Sequence, residues 1–167
     1  MIKNILWASI FALIAAILQS TLLSHIALYG VVPDLALGII VFSGYINGQM
    51  TGQLAGFSSG ILLDFLSAAP LGLNAFIRTL AGALAGRLKG AFFLDFLFLP
   101  MMLCAVATLL KAALLFPLHL FLGARIPIYP LIASTLWIEL GLNTISAPFL
   151  FALLKLAKKL LTGRGDR

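Results

Sequence analysis

Residues 44–64 read GYINGQMTGQLAGFSSGILLD, and this stretch decides how the chain folds. Gly44, Gly48, Gly52, Gly56 and Gly60 recur at every fourth position, and the next step of that register is an acid, Asp64. Helices in water avoid glycine, because each one costs roughly 1 kcal/mol relative to alanine. Membrane helices instead use small residues four apart to bring backbones together. A second run, Arg78, Gly82, Gly86 and Gly90, repeats the spacing and begins with a base. The two runs predict facing helices, each with a helix-packing groove and one charge.

Composition agrees. Of 167 residues, 62% are hydrophobic and only 10% charged, with a mean hydropathy of +1.15, far from the balance of a water-soluble domain. The chain reads as an all-α, polytopic membrane protein folded as one compact bundle. The single cysteine, Cys104, lies in an apolar run and forms neither an intrachain disulfide nor a metal-ligand cluster.

A spanning helix needs about 20 apolar residues, fewer where neighbours compensate. By that measure six spans are expected, at about 5–23, 34–46, 54–67, 74–88, 95–120 and 131–154, in a single domain of residues 1–167. Pro33 and Asp34 suit the start of the second span, and the polar, glycine-rich Asn47 to Gln53 reads as a turn. Six spans put both ends on one side. Lys3, Arg87, Lys89, Lys155, Lys158, Lys159, Arg164 and Arg167 then share one face and only Arg125 lies on the other. The positive-inside rule makes both termini cytoplasmic. The net charge of +6 is mostly this bias, and nucleic acid is not expected as a partner. The short basic tail 155–167 contacts anionic lipid headgroups or an acidic cytoplasmic partner.

Charges at membrane depth cost about 2.5–3.5 kcal/mol each on insertion scales, so they are normally paired or functional. Asp64 sits just before the outer end of the third span and Arg78 just past the outer start of the fourth. Matched depth on an antiparallel hairpin predicts an ion pair between them. Lys111 and Glu139 stand in the same relation on the last two spans, with Asn143 one turn below Glu139. These pairs are either internal ties that fix helix register or the lining of a cavity. No histidine and acid are placed to activate a serine or threonine, and Walker, Rossmann and zinc patterns are lacking. The chain is therefore read as no enzyme, with no cofactor, no catalytic residue and no bound metal.

Several of these residues also carry a resemblance that covers nearly the whole chain. Gln19, Ser20 and Leu22 follow the first span, and Pro33, Asp34 and Leu35 open the second. Then come Gly52, Gly56, Gly60, Leu63 and Asp64, and the loop Leu71, Gly72, Leu73 and Asn74. In these the chain resembles the bacterial rod shape-determining protein family MreD. That family is similar in fold to the six-helix S components of energy-coupling-factor vitamin transporters, whose first helix often carries small residues four apart; Ala8, Ala12 and Ala16 match that spacing and are read as a partner or lipid contact.

The resemblance implies a non-enzymatic scaffold of the cell-elongation complex, or elongasome, in the bacterial inner membrane. Its implied partners are the bitopic protein MreC, the actin-like MreB filament, the glycosyltransferase RodA and its penicillin-binding transpeptidase, which together direct lateral peptidoglycan synthesis. The alternative is an S-component-like subunit that binds a small-molecule substrate for transport. For that reading the outer loops offer only His25, Tyr29, Arg125 and Tyr129.

Overall fold

The computed structural model describes residues 2–67, 69–91, 97–123, 134–157 and 161. Among these the named elements are all helices: α1 (Ile2–Thr21), α2 (Leu35–Asn47), α3 (Gln49–Leu66), α4 (Leu73–Arg87), α5 (Phe98–Leu122) and α6 (Ser134–Leu156), with a 3-10 turn at Leu23–Ile26 and an isolated bridge between Leu28 and Val31. This is a membrane helical bundle. α1, α5 and α6 are long and apolar enough to cross a bilayer on their own, while α2 is apolar but shorter.

Side-chain contacts fix the directions. Asn4 donates to Asn47 at 2.8 Å, and the backbone N–H of Ala36 donates to Gln19 at 3.0 Å, so α1 and α2 run antiparallel. Asp64 meets the start of α4 and Gly52 lies against Gly82, so α3 and α4 are antiparallel too. The Lys111–Glu139 and Thr108–Asn143 contacts set α5 against α6 in the same sense. The chain therefore alternates direction, and the start of α2, the end of α3 and the start of α4 meet at the end of the bundle far from the N-terminus.

α2 is the central post. Every residue from Ala36 to Tyr45 is buried, as expected of a helix that is apolar on all sides and wrapped by its neighbours. Phe42 packs edge-on against Phe151 of α6, ring centroids 4.9 Å apart. Around this post several glycines lie against neighbouring backbone. A methyl group on Gly52 would run into the Gly82 carbonyl, and one on Gly56 into the Arg78 carbonyl. On Gly60 it would lie 2.5 Å from the Ala75 nitrogen, and on Gly44 the same distance from the Gly82 oxygen. Gly86 faces Gln49 and Gly48. The glycine groove is thus filled by the chain's own α2, α3 and α4.

Gly48 and Gly90 are corrections to that ladder. Their φ angles are +98° and +76°, a backbone region that costs L residues dearly, and a methyl group on Gly90 would touch nothing within 4 Å. Gly48 turns the chain between α2 and α3 with its backbone against Gly86, and Gly90 stands in the turn that follows α4. Gly48 alone separates α2 from α3, so the expected Asn47–Gln53 turn is mostly helix: Gln49 to Gln53 form the first turns of α3, which begins five residues before Leu54. The other spans differ from expectation by a few residues at their ends, and Asp95 and Leu131 lie outside the described residues.

The alanine spacing on α1 also points inward. Ala8 and Ala12 are 0% exposed and belong to the main apolar core, and Ala16 packs against it. Ala8 and Ala12 hold α1 to the bundle and are not open to a partner, whereas Ala16 is half-buried and also lines a cleft. The exposed ridge of α1 is instead Leu6, Ile10 and Ile14.

Candidate functional site

Asp34 ends the loop before α2 and caps that helix, its Oδ1 accepting from the Leu37 N–H at 2.9 Å. A carboxylate has lone pairs to spare after one cap bond. Arg78 Nη2 of α4 donates to the same oxygen at 3.0 Å, and Lys111 Nζ of α5 lies 3.3 Å from Oδ2. Lys111 also meets Glu139 Oε1 of α6 at 2.6 Å. Two bases and two acids therefore form one chain, Arg78–Asp34–Lys111–Glu139, tying four helices together at the far end of the bundle.

Arg78 is 5% exposed and Glu139 3%. Isolated charges so placed would be expelled or neutralised, and pairing within a hydrogen-bonded cluster is what keeps them tolerable. Asn143 completes the cluster: its Oδ1 accepts from the Asp34 N–H at 2.6 Å and its Nδ2 donates to Thr108 at 2.8 Å.

The expected Asp64–Arg78 pair is not formed. Asp64, 3% exposed, is taken by the start of α4. It accepts from the N–H groups of Gly72, Asn74 and Ala75 at 2.9, 2.9 and 3.2 Å, and from the Asn74 side chain at 2.9 Å. Gly72 stands at the N-cap position of α4 with φ +92° and no side chain to cap it, so the orphan donors of the first turn converge on an acid of the preceding helix. A carboxylate there also faces the positive end of the helix dipole. Arg78, further along α4, faces α2. Replacing Asp64 by alanine leaves several buried N–H groups without an acceptor, and a loss of about 1–3 kcal/mol is expected, read from thermal unfolding in mild detergent. Asp64→Asn, which keeps an acceptor, is expected to lose less.

Two adjoining clefts open beside the cluster. One, about 240 Å³, reaches Asp34, Arg78, Lys111, Thr135 and Glu139. The other, about 400 Å³, lies between α1, the loop before α2 and Leu63 of α3. Gln19, Gly30, Val32 and Arg78 line both.

Of the remaining residues singled out in the sequence, Lys155 falls in the last turn of α6, whereas Lys158, Lys159, Arg125 and Tyr129 lie outside the described residues. The residue that sequence reasoning under-read is Asp34, taken as a helix start only. Depth gave no signal, since with the spans as drawn Asp34 stands at the outer end of its span while Arg78 lies four residues and Lys111 nine residues inside theirs.

Comparison with known proteins adds one match. The family model described as rod shape-determining protein MreD matches residues 1–157, nearly the whole chain. No curated protein and no solved structure matches it.

Proposed function

The chain belongs to the rod shape-determining protein MreD family, and on that premise we propose that it is a non-enzymatic scaffold of the bacterial cell-elongation machinery. A role in rod shape determination comes with the family. The finer reading places the bundle in the inner membrane with both termini in the cytoplasm. There it binds the transmembrane helix of an MreC-like bitopic protein and, through a larger complex with MreB, RodA and its penicillin-binding transpeptidase, helps to direct lateral peptidoglycan synthesis.

The single observation that carries this reading is the family match along residues 1–157. The distribution of side chains supports it. Small residues are consumed inside the bundle, so a partner helix docks on the ridges that remain outside, such as Leu6, Ile10 and Ile14 of α1 or Leu54 and Phe57 of α3. Membrane helices associate by van der Waals packing of this kind. A likeness in fold to transporter S components is part of the same proposal and fits the alternating direction of the helices.

Depletion of the protein is expected to round rod-shaped cells, and a pull-down in mild detergent is expected to recover an MreC-like protein. Recovery of ATPase-linked transport subunits in its place would favour a transport subunit and overturn the scaffold.

A further inference from the structure

Arg78 is used only in part. Its Nη2 binds Asp34, but Nε and Nη1 are buried and have no hydrogen-bond partner among the described residues. A buried guanidinium seldom leaves such donors idle. Arg78 also lines both clefts, and the larger one, about 400 Å³, has no acidic residue in its wall. Gln19 lines it too; its Oε1 is occupied by the Ala36 N–H, which leaves the amide nitrogen to donate.

Asp34 and Glu139 are already matched by Arg78 and Lys111, so the cluster is close to neutral. The spare donors of Arg78 and Gln19 then suit one compact anion with several acceptor oxygens rather than a highly charged one. We propose that the cleft beside Arg78 binds a singly charged phosphate group. An anionic phospholipid headgroup and a free phosphate share that chemistry. Next to Ala16 and Leu63 in the cleft wall, α1 exposes Ile17 and Leu18, and α3 exposes Leu62 and Leu66. Acyl chains attached to the phosphate would lie along these apolar side chains, so the lipid is the favoured source.

The test uses the full chain in mild detergent, with native mass spectrometry after titration with phosphatidylglycerol or phosphatidylcholine and with a melting curve in inorganic phosphate. Two variants accompany it. Arg78→Lys keeps a cation beside Asp34 but removes the spare guanidinium donors, and Ala16→Leu fills the cleft without touching the ion pair. The wild type is expected to retain phosphatidylglycerol over phosphatidylcholine by about tenfold, because the two share the phosphate but the quaternary ammonium of choline is repelled beside the Arg78 guanidinium. That preference should vanish in whichever variants stay folded. Protection by inorganic phosphate that both variants lose would keep the site and identify a free anion as its occupant. Equal retention of the two lipids with no effect of phosphate, or a preference unchanged in a folded variant, would overturn the proposal.

Discussion

A leucine in place of Gly56 is expected to abolish the folded bundle, so that the protein elutes from size exclusion in mild detergent as aggregate. The cause is backbone, not side chain. Even a methyl group at this position collides with the Arg78 carbonyl and comes within 2.9 Å of the Thr79 nitrogen. Neither can swing aside as the end of a flexible side chain would, so α3 and α4 must separate along their length. Gly56→Ala is expected to cost about 1–3 kcal/mol, the usual range for overpacking, seen as a lower unfolding temperature. Gly141 of α6 is the control, because a methyl group there meets nothing within 4 Å. Gly141→Ala should leave stability unchanged or raise it by up to about 1 kcal/mol through helix propensity.

Replacing Asp34 by alanine is expected to destabilise the bundle by about 3–5 kcal/mol, the range for a buried charge that loses its partner. Arg78 has no other ionic partner among the described residues, and α2 loses its cap at the same time. The measurement is thermal unfolding in detergent. Removing the orphaned charge as well, in Asp34→Ala with Arg78→Met, is expected to recover part of the loss, since a well-packed apolar replacement is often tolerated where a broken pair is not.

How far the sequence revealed this arrangement depends on what a four-residue period can say. It marks one face of a helix, and for Gly52, Gly56, Gly60, Gly82 and Gly86 that face is where α3 meets its neighbours. The same period cannot say whether the face looks inward or outward, and Ala8 and Ala12 turned out to be core. Depth along the membrane is equally partial information. Lys111 and Glu139 are level and in contact; Asp64 and Arg78 are close in level as well, yet each has another partner. What decides is which helix stands at the centre, and that position belongs to α2, one of the shorter helices. The clue to Asp64 lay in what α4 lacks. A helix opened by Gly72 has no cap of its own, so an acid nearby in the chain is drawn to its free N–H groups. The clue to Asp34 was that capping uses one oxygen and leaves the other to bind a cation.

The central claim is that Arg78 is held by Asp34 rather than by Asp64, and paired double-mutant cycles on unfolding free energy in one detergent test it directly. Removing each side chain singly and together is expected to give a coupling of at least about 1 kcal/mol between Asp34 and Arg78, within the range for residues in contact. Between Asp64 and Arg78 it should be within about 0.5 kcal/mol of zero. Strong coupling of Arg78 to Asp64, with none to Asp34, would contradict the account.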